Sequence, residues 1–366
     1  MLVSKFLGIR NTEPIRSIPN NACSEAVNVD VSVEGALSQR NGCSLAKSIS
    51  ISTAYSTFEQ SVYVISSGIL NRVQDDLTLI PICPSTATEF TDFGEVLFTN
   101  DGLKIQNNIA TNIKIPSPNI PPNLSVISGN RFAGTYSVCY TYCSADGIEG
   151  GSSPIASIEL TSMGSFYIDP INAPAGFTVI VYITDVDGAV YYNYEGIQLA
   201  QYQTLSQPFP DEVKQIAFHD SRLWVSQAQS NGSTVIWFSD PFLYHIYDAV
   251  NGYIVVPGEV RGMMSANGGL IIGTNSAIYV FDGDVLTTLA TYGVITGRPF
   301  ARGTDKTVYM HTEWGVCKAL PFINVSSDKA SFAMGAKCST ALVYQDGLQK
   351  FVALSDGSGV PFNARY

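Results

Sequence analysis

Charge is what this chain has least of: Asp, Glu, Lys and Arg make up 14% of its 366 residues, against roughly 25% in an ordinary soluble domain. The centre of a protein interface is depleted in charged residues, so the deficit predicts a surface widely covered by neighbours. A monomer with a Ser-, Thr- and Asn-rich surface is the other reading of the same figure. Imidazole is scarce as well, with His219, His245 and His311 the three histidines. No run of about 18 apolar residues occurs, which argues against a membrane-spanning helix and against membrane insertion. The first fourteen residues hold no apolar block of about 7–15 residues and no small-residue cleavage site, so an export signal is not expected. The sequons at Asn123, Asn231 and Asn324 have meaning only on a secretory route. Walker, GxSxG, HExxH and CxxC patterns are all missing.

Positive charge is the minority sign, 20 basic against 31 acidic residues for a net −11. Sequence-independent nucleic-acid binding needs Lys and Arg to displace counterions, and is disfavoured here. An acidic protein can still surround DNA as a repelling conduit. The seven cysteines, Cys23, Cys43, Cys83, Cys139, Cys143, Cys317 and Cys338, are odd in number. Cys139 and Cys143 lie four apart, on one face of a strand and too far along it for a relaxed disulfide. No histidine is near enough in sequence to complete a zinc motif, so buried free thiols of a reducing cytoplasm are expected.

Groups that resemble chemistry have plainer explanations. His219-Asp220 falls at a hairpin bend and lacks a nucleophile. His311 alternates with Tyr309 in a strand, as a surface or core histidine does. Asp185-Val186-Asp187-Gly188 has two carboxylates but none of the later ligands of a calcium loop. Asp75-Asp76 and Asp211-Glu212 are adjacent in turns, whereas glycosidase carboxylates face each other about 5–9.5 Å apart across a sugar. No catalytic, cofactor-binding or metal-ligating residue is assigned, no cofactor is called for, and the chain is not expected to be an enzyme.

What the chain has is turns and pleated-surface residues: 31 Gly, 18 Pro, 19 Tyr and 18 Phe, a mostly β composition. Hairpins are legible at residues 61–73 about Ser67-Gly68, 94–105 about Asn100-Asp101-Gly102, and 215–226 about His219-Asp220-Ser221. Strands are also expected at 235–238, 252–256, 269–274, 277–281, 307–311, 315–320, 340–344 and 349–354. Residues 242–250 read as an irregular turn or short helix. Recurrence of one hairpin unit without a strict period fits a degenerate β-propeller, although a second sandwich or barrel gives much the same signal. Between these hairpins lies a different module. Tyr136, Val138, Tyr140 and Tyr142 alternate with Ser137, Cys139 and Thr141, which predicts a strand with one apolar-aromatic face. Residues 177–184, closed by Asp185-Val186-Asp187-Gly188 and followed by 189–194, predict a hairpin. Residues 115–123 carry four prolines and read as a stiff linker; residues 206–211 are the return linker. The expected organisation is an extended N-terminal arm over 1–50, a discontinuous propeller-like domain over 51–118 and 208–366, and a fibronectin-III-like sandwich inserted over 119–207.

Thr135-Tyr136, Tyr140-Thr141-Tyr142, Asp146-Gly147-Ile148-Glu149-Gly150, Ser153-Pro154 and Val181-Tyr182-Ile183-Thr184 resemble a module embedded in tail and neck proteins of tailed bacteriophages. Asn28-Val29-Asp30-Val31 with residues 35–42 resembles the opening of tail-hub, nozzle and stopper proteins. Arg222-Leu223-Trp224-Val225, Trp237-Phe238-Ser239-Asp240-Pro241 and residues 269–281 are similar to their propeller-like blades. The resemblance implies a structural virion protein of the tail or neck, assembled in the bacterial host cytoplasm. It would form a ring, with six copies expected, around genomic DNA that passes without specific binding, and would contact other tail or neck proteins. The arm, with Val27, Val29, Val31 and Val33 alternating, is suited to adding a strand to a neighbour. The alternative is a β-propeller glycan-binding protein or glycoside hydrolase, with tyrosines and tryptophans as sugar platforms.

Overall fold

The computed structural model describes residues 15–19, 22, 29–31, 37–39, 48–200, 203, 206–303, 306–326, 337–345 and 348–355. Within the arm, a 3-10 turn spans Ile15–Ser17, and β1 (Val29–Val31) pairs antiparallel with β2 (Leu37–Gln39) as a sheet of two. Cys23, Val27, Val33 and Cys43 lie outside the described residues.

The chain then builds antiparallel sheets of consecutive strands. Blade I is β3 (Thr53–Ser56), β4 (Val62–Ser66), β5 (Ile69–Val73) and β6 (Leu79–Pro84). Its central turn puts Ser67 at φ 51° and Gly68 at φ 74°, the left-handed pair of a tight hairpin whose twist matches its strands. Blade II is β7 (Phe90–Phe93), β8 (Val96–Thr99), β9 (Leu103–Gln106) and β10 (Ile109–Asn112). After the six sandwich strands that lie between residues 124 and 192, blade III has β17 (Ser206–Gln207), β18 (Ile216–His219), β19 (Arg222–Ala228), β20 (Ser233–Asp240), β21 (Leu243–Asp248) and β22 (Tyr253–Pro257). Blade IV is β23 (Val260–Ala266), β24 (Gly269–Thr274), β25 (Ile278–Phe281) and β26 (Leu286–Ala290). Blade V is β28 (Phe300–Arg302), β29 (Val308–Thr312), β30 (Gly315–Lys318) and β31 (Ile323–Asn324). A last sheet joins β27 (Gly297–Arg298) in parallel to β32 (Cys338–Gln345), which pairs with β33 (Leu348–Ser355).

These blades form a degenerate β-propeller because each hides its apolar face against the next. Tyr63, Ile65 and Leu70 of blade I pack with Phe90, Leu97 and Ile105 of blade II. Phe98 and Ile113 pack with Ile216, Leu223, Val225 and Tyr247 of blade III. Trp224 and Ile236 pack with Met263, Leu270 and Ile272 of blade IV. Ile271, Ile278 and Val280 pack with Phe300, Val308, Met310 and Cys317 of blade V. Blade IV is thus buried on both faces, which is why β24 is buried at every residue. Arg298 ties the two ends of the series together: its guanidinium donates to the backbone oxygens of Ala54 and Thr88 and lies 3.3 Å from the Glu89 carboxylate.

The sandwich consists of β11 (Leu124–Arg131), β12 (Gly134–Ser144), β13 (Ala156–Leu160), β14 (Gly164–Ile168), β15 (Phe177–Thr184) and β16 (Tyr191–Tyr192). One sheet has the order β13-β12-β15-β16, the other β11-β14. This is the fibronectin-III-like arrangement without its first strand. Residues 115–123, which occupy that place in the chain, contain Pro116, Pro118, Pro121 and Pro122 and form no strand; proline cannot donate to a ladder. Tyr136, Val138, Leu160 and Phe166 form the core between the sheets. Between Ile127 and Arg131 the pairing of β11 with β14 skips. Gly129 makes the skip possible, since a Cβ there would fall 2.2 Å from the Ser165 side chain.

Three expectations change. Residues 243–248, read as irregular turn or short helix, are a strand: β21 pairs with β20 across a register shift between Ser239 and Asp240, and turn is confined to 242 and 249–250. Phe242 at φ 62° makes the reversal, after which Ile246 and Tyr247 bury. The strand over 136–142 has two buried faces, not one, because Cys139 packs with Tyr182 and Leu199 behind the sheet. Ser206 and Gln207, read as linker, form an edge strand on β21.

Candidate functional site

An open groove of about 630 Å³ lies where blades III and IV meet, lined by His219, Asp220, Arg222, Trp224, Phe238, Gly268, Phe281 and Asp282 among others. The hairpin turns of β18–β19, β23–β24 and β25–β26 converge there because neighbouring blades repeat one up-and-down order. Its floor is aromatic, with the Trp224 ring 4.7 Å from Phe238 and 5.5 Å from Phe281. His219, Arg222, Trp224 and Asp282 are engaged with the protein. His219 Nδ1 lies 2.9 Å from Ser265 Oγ, and Trp224 Nε1 donates to the His219 backbone oxygen at 3.1 Å. Arg222 lies over the Phe238 ring, donates to Ser239 O at 2.8 Å and faces Asp240. Asp282 accepts from the backbone of Val285 and Asp284, and these bonds hold its carboxyl below the ordinary range. Burial pushes the His219 pKa down against the pull of Asp220, so the ring is neutral. Burial raises Asp240, with Arg222 opposing.

The second cluster fastens the sandwich to the propeller. The Glu149 carboxylate accepts from Thr141 and, at 2.8 Å, from Tyr182. The Glu149 backbone oxygen meets His245 Nε2 of β21 at 3.0 Å. Gln203 Nε2 donates to Gly150 O, and Ser152 N to Gln203 O. The loop over 149–153 is therefore held between the proline-rich entry segment, the exit segment and blade III. Burial lowers the His245 pKa despite its backbone bond, and raises Tyr182 beside Glu149.

The remaining candidates lie apart from these two clusters. His311 is buried in blade V, where burial pushes its pKa down to about 4. Asp187, in the turn after β15, accepts from Thr135 N of β12 at 2.9 Å and ties that turn to the neighbouring strand. Asp76 accepts from Thr78 N in the β5–β6 turn, and the exposed Asp211 lies 3.9 Å from Lys114. The five described cysteines are free thiols. Burial lifts every one, Cys139 to about 12 and Cys338 to about 11, so they stay protonated at neutral pH. Among the described residues no cluster of three or more His, Cys, Asp or Glu is placed to hold a metal, and no helix is long and apolar enough to cross a membrane.

The sandwich carries several large apolar side chains in solvent. Val126 is 62% exposed, Ile127 46%, Phe132 69% and Tyr167 48%, with Ile155 and Met163 also exposed nearby in the same module. Single exposed apolar residues are ordinary; here they fall on both faces of β11, Val126 on one and Ile127 on the other.

Comparison with protein-family models finds no match, and comparison with curated proteins finds none either. Solved structures similar to the chain include PorZ, a surface component of the type-IX secretion system of Porphyromonas gingivalis, at 12% identity and TM-score 0.32 over 86% of this chain and 39% of that one. A second is the extracellular domain of a putative hybrid two-component system of B. thetaiotaomicron, at 11% identity and TM-score 0.24 over 89% and 51%. A third is a putative glucose dehydrogenase from Thermus thermophilus, at 10% and 0.26 over 83% and 95%. The chain spans about half of the first two structures or less.

Two features of these candidate surfaces escaped the sequence. Ser265 is 46 residues from His219, and no local pattern links them; only the packing of β18 on β23 does. The bare edge of β11 depends on a strand that fails to form, and the prolines of 115–123 were its only sequence signal.

Proposed function

We propose that this protein is a structural subunit of a tailed-bacteriophage tail or neck, a hub, nozzle or stopper component that assembles into a ring around the DNA path and binds other tail proteins. The observation that carries this reading is the bare apolar sheet of the sandwich, held on the propeller by the Glu149–His245 and Gln203–Gly150 contacts. A side module fixed through buried hydrogen bonds presents its face at a defined angle, as a subunit contact requires. The low charged fraction and the net −11 agree with surfaces covered by protein and a lumen that repels phosphate, so that DNA slides rather than sticks. The resemblance to nozzle and hub proteins leads us to expect six copies. Native mass measurement and negative-stain imaging of the purified chain test this: rings support it, and dispersed monomers that stay out of phage particles overturn it.

The groove between blades III and IV favours a second reading, a glycan-binding propeller, because aromatic rings beside Asp220, Asp282 and His219 are the elements of a sugar site. Saccharide-dependent thermal shifts, abolished by Asp220→Ala, would support it over the first.

A further inference from the structure

The sandwich lacks one strand, and the chain carries a segment shaped to replace it. Opposite residues of a ladder share a face, so the pair Val126–Phe166 places Val126 on the core side of its sheet. Phe166 is buried in that core, whereas Val126 is 62% exposed. A core-facing valine left in solvent means that the sandwich is open along β11. The same strand is the end of a sheet of two, so its outer backbone groups have no ladder partner among the described strands. Ile127 and Tyr167 leave the other face of this edge apolar as well.

The arm has the matching defect. β1 and β2 are three residues each in a sheet of two, below the three strands that a stable sheet needs. Around β1 the sequence reads Val27-Asn28-Val29-Asp30-Val31-Ser32-Val33-Glu34: one face all valine, the other all polar. A strand laid beside β11 must cover Val126 with apolar residues at every second position and show polar ones outward. In this chain β1 pairs with β2, and β11 with β14, so the two open edges are not joined to each other.

We infer that the N-terminal strand around Val29–Val31 of a second copy adds antiparallel to β11, completing the sandwich in trans. This deepens the proposed function: it rests on self-association but not on the phage assignment. Repeated around a ring, it is a head-to-tail contact that closes by rotation.

The test uses the full chain and two variants, one blocked as acceptor (Val126→Lys) and one as donor (Val29→Lys with Val31→Lys). Size-exclusion chromatography with light scattering is expected to show concentration-dependent assembly of the wild type and monomers for each variant alone. An equimolar mixture of the two is expected to recover one-to-one dimers, because one intact donor meets one intact acceptor. Hydrogen exchange on the wild type gives an independent readout, with amides 125–127 protected more strongly as concentration rises. Variants that assemble like the wild type overturn the inference and leave a ring built on other surfaces standing. A mixture that stays monomeric overturns it too. A wild type that is monomeric throughout, with concentration-independent protection at 125–127, assigns the edge to pairing within one chain and removes self-association as well.

Discussion

At the residue scale, burial sets the response to pH. All three histidines have pKa values pushed down by desolvation, His311 to about 4. The unfolded chain binds a proton near pH 6.5, so between about 6.5 and 4 it holds more protons than the folded one, and stability falls as pH drops. For His311 the full effect is about 3 kcal/mol, from a shift of 6.5 to about 4. Melting curves from pH 7.5 to 4 should therefore steepen downward in the wild type and less in His311→Gln; parallel curves would refute the assignment. Glu89 acts in the opposite direction. Burial pushes its carboxyl up to about 7 against the pull of Arg298, so its contribution is present below about 4.5 and is lost as pH rises through 7. Removing the guanidinium strips away the group that opposes this loss. Arg298→Met is expected to cost more stability at pH 8 than at pH 6, by denaturant titration at each. An equal cost would show that Arg298 serves through its backbone bonds alone.

At the element scale, every blade depends on the next. Trp224 is buried against Phe238 of its own blade and Phe281 of blade IV, so Trp224→Ala should cost about 3–5 kcal/mol. The loss should appear as one cooperative transition for blades III and IV; a change confined to the groove with unaltered melting would contradict the shared core. The sandwich has its own core in Tyr136, Val138, Leu160 and Phe166, and a fragment of residues 124–203 should unfold cooperatively. It loses the His245 and blade III contacts, so it should melt below the whole chain. A random-coil spectrum from soluble fragment would rule out an independent module.

At the scale of the whole molecule, the proposed function turns on surfaces. Deleting residues 1–42 removes β1 and β2 while leaving the blade cores untouched. The truncated chain should stay folded and monomeric and fail to enter particles; its incorporation at wild-type levels would deny the arm any role. Alkylation of the denatured chain should label all seven cysteines, and a protected pair would contradict the free thiols.

The mostly β character, the hairpins at 61–73 and 94–105, and the change of module at the prolines were legible in sequence, because period-2 alternation, Gly/Asn/Asp turns and missing amide donors are local properties. Residues 242–250 were misread because the strand depends on pairing across a register shift with Ser239 and Asp240, which local pattern does not carry. The second buried face at Cys139 exists only because Leu199 folds back behind it. The meeting of His219 with Ser265, the Arg298 tie and the open side of β11 likewise join residues far apart in sequence. Alternation and turn chemistry determined the strands. Which strands share a core, and which edge is left without a partner, was decided only when the blades and the sandwich packed.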